Sequence, residues 1–225
     1  MKYSTLYYRP ETNDLQVWSE RRNYLPLLEG VSNLDGVVLD IGAHTGSFSI
    51  LAAQLGFKDI RAFEPEQENF DLLRLNVKES KFSIFCSRYM VLGEYLISSV
   101  NVGEATHKES LFVDAGFNRA AHSVYSSVTR REGQIVRCDL FYEVLKDSSP
   151  TVVKIDVEGA ESAYVFSADY LTSVIRLGVE LHPGHTNVLK KHEEIVSAGF
   201  ELITPIDFDK YKGKCVLALY KRIGT

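Results

Sequence analysis

The sequence predicts an α/β fold, a three-layer sandwich whose central sheet is mostly parallel with one antiparallel strand. Short apolar runs alternate with helix-spaced segments from residue 37 onward, which is the pattern of βαβ units. The first run, Val37-Val38-Leu39-Asp40-Ile41, passes straight into Gly42-Ala43-His44-Thr45-Gly46 and a helical pattern. That stretch reads as a buried strand, a tight glycine turn and a helix N-terminus in one piece, and such junctions hold nucleotide-like ligands against the backbone. Two strand patterns then follow one another near the C-terminus with no helix between them, which places one strand antiparallel.

The elements follow in order. Residues 1–35 are aromatic-rich and broken by Pro10, Asn13-Asp14 and Pro26, so short helices or irregular structure are expected, forming an N-terminal cap region. Val37–Ile41 is the first strand. Ser47–Leu55 carries Phe48, Leu51, Ala52 and Leu55 at helical spacing, and Gly56 stops it. Ile60–Phe63 is a second strand ending at Glu64-Pro65, followed by a helix over Glu66–Glu79. Phe82–Phe85 reads as a third strand continuing toward Leu92. Residues 93–137 are rich in Ser, Gly, His and Arg, and read as an insertion of hairpins or covering segments that selects the substrate. Thr151–Asp156 is a buried strand, Ala160–Leu171 a helix, Val174–Leu181 a strand and Asn187–Ala198 a helix stopped by Gly199. Phe200–Thr204 and Lys214–Tyr220 close the sheet.

At 225 residues the chain fits a single domain. A net charge of −5 argues against non-specific binding to nucleic acid or an anionic membrane. No apolar stretch reaches the length of a membrane span and the N-terminus has no leader-like apolar region, so a cytoplasmic protein is expected. Cys86, Cys138 and Cys215 are scattered in apolar contexts and lack paired spacing, which reads as three buried thiols rather than a metal site.

Ligands of such sheets bind beyond the carboxyl ends of the strands. Four of those ends carry acids: Asp40, Glu64, Asp156-x-Glu158-Gly159 and Glu180-Leu181-His182-Pro183. The dinucleotide pattern G-x-G-x-x-G fails because His44 stands where its second glycine belongs, and no phosphate-loop lysine follows. A ligand without a pyrophosphate fits better. Asp40, Gly42, His44 and Gly46 would meet it at the turn, and Glu64, 24 residues after Asp40, has the spacing of a ribose-binding acid.

Leu39–Gly46 and Phe63-Glu64-Pro65 resemble the first two motifs of S-adenosylmethionine-dependent methyltransferases. Val153-Lys154-Ile155-Asp156-Val157-Glu158-Gly159-Ala160-Glu161 resembles the K-I-D-V-E-G-A-E stretch of the FkbM-like members, and Val179–Pro183 their E-x-H-P segment. Cys138-Asp139-Leu140 stands where that family often has T-L-D, Asn118 to Ser123 echoes a polar N…S segment, and Arg9, Asp14 and Tyr24 resemble positions before the first strand. His44 replaces the usual Asn, Cys138 replaces Thr, and residues 93–137 match poorly. The resemblance implies a Rossmann-like, seven-stranded sheet with the last strand antiparallel. It also implies S-adenosyl-L-methionine as cofactor and methyl transfer to a hydroxyl of a sugar or small metabolite.

An alcohol is a poor nucleophile until its proton leaves, so a positioned base is expected. Asp156 is the candidate, with Glu158 and His182 as alternates and Glu180 facing the same crevice. Asp156 and Glu158 have a plainer reading as turn and cap residues, and Glu161 as a helix-start acid. Asp156, Glu180 and His182 could ligate a cation, but they come from separate strands, and a hydrogen-bonded histidine before a proline turn is preferred, so no metal is expected. A non-catalytic or scaffolding relative that keeps cofactor binding is the alternative function, and the intact acids argue against it.

Overall fold

The computed structural model describes residues 6–80, 82–92, 109–112, 134–184, 186–211 and 213–225, the backbone alone at 109–112 and 134–136. Most of the 93–137 insertion and the Asn118–Ser123 segment therefore lie outside the described residues.

The central sheet has seven strands. β1 (Val37–Ile41), β2 (Asp59–Phe63), β3 (Phe85–Ser87), β7 (Val152–Ile155), β8 (Arg176–Leu181), β9 (Phe200–Leu202) and β10 (Val216–Arg222) lie in the order β3-β2-β1-β7-β8-β10-β9. β10 runs antiparallel to both of its neighbours, and the other pairs are parallel. The expected sheet, with its single reversed strand, is present.

Alternation along each strand divides the core in two. Val38, Ile60 and Val152 pack against α2 (Leu25–Leu28) and α3 (Ser47–Gln54), with Leu27 and Phe48 at the centre. Leu39, Ile41, Val153 and Val179 face the other way, toward α5 (Phe141–Ser148), α6 (Val188–Ser197), Tyr164 and Phe166. α4 (Gln67–Ser80) covers the β2 edge through Leu73 and Val77. Each fully buried side chain of this size contributes roughly 1.5–3 kcal/mol. Gly178 lacks a side chain for a packing reason: a Cβ there would lie 2.8 Å from Leu27 Cδ2. The N-terminal cap region forms α1 (Asp14–Glu20), a 3-10 turn over Arg21–Tyr24 and α2, in keeping with short helices.

The structure corrects three expectations. The third strand does not continue to Leu92. After β3 the chain leaves the main sheet at Arg88, and β4 (Tyr89–Leu92) joins β5 (Glu109–Phe112) and β6 (Gln134–Leu140) in a separate sheet of order β4-β6-β5. There is no helix over Ala160–Leu171, only a 3-10 turn at Ala160–Ala163. Tyr164 and Phe166 both go into the core and their backbone is taken by α6: Phe166 N–H donates to Glu194 Oε1 at 2.7 Å, and Lys191 Nζ donates to Tyr164 O. The cysteines are not uniformly buried, since Cys138 is buried, Cys86 half-buried and Cys215 exposed. Helix α5 is not anticipated by the sequence reading, although its buried residues Phe141, Val144, Leu145 and Ser148 follow helical spacing. Among the described residues no helix is long and apolar enough to cross a membrane.

Candidate active site

The parallel strands end level. Ile41 pairs with Phe63 on one side and Ile155 on the other, and Ile155 pairs with Val179. The residues that follow, Glu64, Gly42, Asp156 and Glu180, form a row along one edge of the sheet, with strands about 4.8 Å apart. A cavity of about 1010 Å³ opens along that row.

At one end sits the glycine turn. Gly42 and Ala43 N–H groups both donate to Phe63 O, at 3.0 and 2.9 Å. Gly42 has φ +80°, and a Cβ there would lie 1.8 Å from Asp156 O, so glycine is required by the neighbouring strand's backbone. Glu64 is 5 % exposed and accepts from His44 N–H at 2.8 Å, Glu66 N–H at 2.9 Å and Asn69 Nδ2 at 3.4 Å. Burial raises its pKa to about 7, against these hydrogen bonds. A carboxylate offers about four acceptor positions, of which these donors take three, and Glu64 lines the cavity.

Asp40 turns the other way. Its Oδ2 accepts from Ser49 Oγ at 2.6 Å and Ser49 N–H at 3.2 Å, pinning the first turn of α3, and Oδ1 lies 3.2 Å from Lys154 Nζ. Asp40 and Gly46 are not part of the cavity lining, whereas Gly42, His44 and Glu64 are. Lys154, one strand over from Asp40 in register, donates to Gly42 O at 2.6 Å and lies 3.7 Å from Asp156 Oδ2. Burial opposes its charge, but Asp40 and Asp156 outweigh burial and hold its pKa above the ordinary lysine value.

The N-terminal segment locks onto this turn. Arg9 Nε and Nη2 grip Asp14 at 3.0 and 2.8 Å, Arg9 Nη2 reaches Asn69 Oδ1 at 2.5 Å, and Asp14 Oδ1 lies 3.6 Å from His44 Nε2. Burial lowers the His44 pKa to about 4, more than Asp14 raises it, so the ring is neutral at neutral pH. Among the described residues neither ring nitrogen of His44 has a hydrogen-bond partner, nor does the buried Tyr24 hydroxyl. Both side chains line the cavity.

The other end of the row is acidic. Asp156, Glu158, Glu180 and His182, the four predicted catalytic residues, all line the cavity, and Cys215 joins them. His182 is held by a carboxylate on each ring nitrogen: Nε2 lies 3.2 Å from Glu158 Oε2, and Nδ1 lies 3.1 Å from Glu161 Oε1. Glu161 is completely buried and also accepts from His182 N–H at 2.6 Å, Thr186 Oγ1 at 3.1 Å and Gly159 N–H at 2.8 Å. It is a clamp that joins the loops after β7 and β8. Burial would lower the His182 pKa, but the two carboxylates raise it to about 12. The charge of Asp156, then burial, raises Glu180 to about 8, and burial raises Glu158. Sequence reasoning missed Cys215, whose apolar successors Val216-Leu217-Ala218-Leu219 suggested burial, and left Glu161 between a helix-start acid and a functional group. Two triads of ligand atoms, Asp156/Glu158/His182 and Glu180/His182/Cys215, each lie within 4.8 Å of one another.

A glycine turn at the end of β1, a buried acid at the end of β2 and an acidic wall beyond β7 and β8 line one cavity along the strand ends of a Rossmann-like sheet. The chain belongs to the methyltransferase FkbM domain family, whose model matches residues 40–202. The protein is an S-adenosylmethionine-dependent methyltransferase. The residues present fit that cofactor: Glu64 lines the cavity, and so do Tyr24 and His44, whose hydroxyl and ring nitrogens have no hydrogen-bond partner among the described residues.

No curated protein matches the chain. Among solved structures, magnesium protoporphyrin IX methyltransferase from Synechocystis PCC 6803, with bound SAM, is 13% identical with a TM-score of 0.49, over 98% of this chain and 87% of that one. Ribosomal protein L11 methylase from Lactobacillus delbrueckii subsp. bulgaricus is 10% identical with a TM-score of 0.47, over 88% and 75% of the two chains. WbdD, crystallised with the kinase inhibitor LY294002, is 15% identical with a TM-score of 0.49, over 98% of this chain and 44% of WbdD.

Proposed function

We propose that the protein methylates a hydroxyl group of a sugar or small metabolite, and that Asp156 takes the proton of that hydroxyl. The observation that supports this is the row of strand ends, which sets a half-open carboxylate one strand away from the glycine turn. Asp156 is the carboxylate suited to the role by its surroundings. Glu161 is buried, Glu158 is engaged with His182, both nitrogens of His182 are taken, and Glu180 stands one strand further from the turn. Lys154 holds Asp156 and Gly42 O together, so the base and the turn keep a fixed relation.

S-adenosylmethionine supplies an electrophilic methyl on sulfur. Asp156 would take the proton of the acceptor hydroxyl as that oxygen bonds to the methyl carbon, the electron pair of the carbon–sulfur bond leaving with sulfur. Holding oxygen, carbon and sulfur in line supplies much of the acceleration. β4, the strand that leads into the insertion, contributes Tyr89, Met90 and Val91 to the cavity wall, and Met90 and Leu92 pack on Ala160 and Ala163.

The test is a mass-spectrometric screen of hydroxylated acceptors with S-adenosylmethionine, followed by Asp156→Asn. Turnover should fall by about 10²–10⁴, with cofactor affinity changed far less. Full turnover in Asp156→Asn overturns the base assignment.

A further inference from the structure

Glu180, His182 and Cys215 have a relation fixed by the fold. Glu180 and His182 lie on either side of Leu181, so they point to the same face at the end of β8. β10 runs antiparallel beside it with Val216 opposite Leu181, and one step further in the same register sets Cys215 opposite His182. The three ligand atoms lie within 4.8 Å of one another and all three residues line the cavity. We propose that Cys215 Sγ, His182 Nε2 and a Glu180 carboxylate oxygen bind one zinc ion, with its fourth position open to the cavity.

The chemistry of the donors points to zinc. A thiolate, an imidazole and a carboxylate form a mixed set that suits this metal, and three protein ligands with one open position describe a catalytic rather than a structural site. A metal-binding histidine nearly always has its other nitrogen fixed by a carboxylate or carbonyl, and here the fully buried Glu161 does this at Nδ1. Glu161 is in turn held by Gly159 N–H and Thr186 Oγ1, so Nε2 is aimed by the fold and not by the ion. Tetrahedral bonds of about 2.0–2.3 Å give donor–donor separations of about 3.3–3.8 Å. The ion therefore needs a closure of at most about 1.5 Å, and Cys215, exposed at the cavity rim, is placed to make it. On binding, the thiol proton and the Nε2 proton pass to solvent, and the ion takes the place of Glu158 Oε2, which lies 3.2 Å from Nε2 without it.

The site lies beside Asp156, which stays outside the ligand set. The inference rests on the proposed reaction only for the ion's role, which is to hold the acceptor oxygen while Asp156 takes its proton.

The test uses the full chain stripped with chelator and titrated with Zn²⁺ alone against a chromophoric competitor, and with Co²⁺ as a spectroscopic substitute. One ion per chain is expected, with a thiolate-to-cobalt charge-transfer band in the near ultraviolet. Cys215→Ser, at an exposed position that leaves the fold intact, should remove the band and weaken zinc at least tenfold. Absence of saturable binding overturns the inference, and so does zinc binding that Cys215→Ser leaves unchanged. Methyl transfer by a protein that binds no zinc removes the ion and leaves the reaction standing. Stoichiometric zinc with no methyl transfer to any hydroxyl does the reverse.

Discussion

Proton-linked cofactor binding tests the role of Glu64 directly. Burial raises its pKa from 4.5 to about 7, so the unliganded protein carries a mixture of ionised and protonated Glu64 near neutrality. A ribose hydroxyl donates, and needs the ionised form. At pH 8 about nine-tenths of Glu64 is ionised, and at pH 5.5 about 3 %. Affinity for S-adenosylhomocysteine should therefore fall about 30-fold between these pH values, which is about 2 kcal/mol. The same shift sets the sign for stability. A raised acid binds its proton more tightly when folded, so this group's contribution is present below pH 4.5 and is lost as pH rises through about 7. Ionisation costs the unliganded fold about 3 kcal/mol, and bound hydroxyls offset part of it. The assay is titration calorimetry over pH 5.5 to 8 in two buffers of different ionisation enthalpy, which counts released protons. Release approaching one proton per ligand is expected at the acid end. Glu64→Ala should bind weakly and lose this pH dependence. A flat affinity in the parent protein, or a slope that survives in Glu64→Ala, refutes the reasoning.

Lys154→Met leaves Asp40 buried with no counter-charge, and should cost about 3–5 kcal/mol in urea unfolding. Gly42→Ala forces a Cβ to 1.8 Å from Asp156 O in a left-handed backbone, so it should destabilise by at least about 2 kcal/mol and lower soluble yield; a normal melting temperature counts against the turn geometry. Glu161→Ala removes the acceptor of three backbone and side-chain donors and leaves His182 with Glu158 alone, so the His182 titration followed by NMR should move down from about 12. A His182 titration unmoved by this change would show that Glu161 is not its anchor.

The strands and the turn were legible because each is a local pattern. Val37–Gly46 announces strand, glycine turn and helix by residue type alone, and the structure places them with little change of bounds. The segment after Gly159 was not legible. Its helical spacing is real, but Tyr164 and Phe166 are claimed by the core and their backbone groups by Lys191 and Glu194, which lie about a helix and a strand away in sequence. Asp40 shows the same limit within the site. Its position in the motif is read at once, yet whether its carboxylate faces a ligand or Ser49 and Lys154 depends on the sheet face, which register decides. Cys215 was missed because the strand after it is apolar, while its own side chain sits past the strand's start at the cavity rim.

The register of the sheet also explains why one lysine can serve both halves of the site. Asp40 and Lys154 are paired residues on adjacent parallel strands, so their side chains emerge on the same face, toward α3. The ammonium then reaches past the strand end to Gly42 O and Asp156. The turn that would meet the cofactor and the carboxylate that would take the proton are thus tied through a single buried cation, across a separation of one strand spacing, about 4.8 Å. Asp156, the first residue past β7, is itself restrained against the turn, its N–H donating to Ile41 O at 3.0 Å. Here the pairing of β1 with β7 supplies that restraint, and a change to Lys154 should disturb base and turn together rather than either one alone.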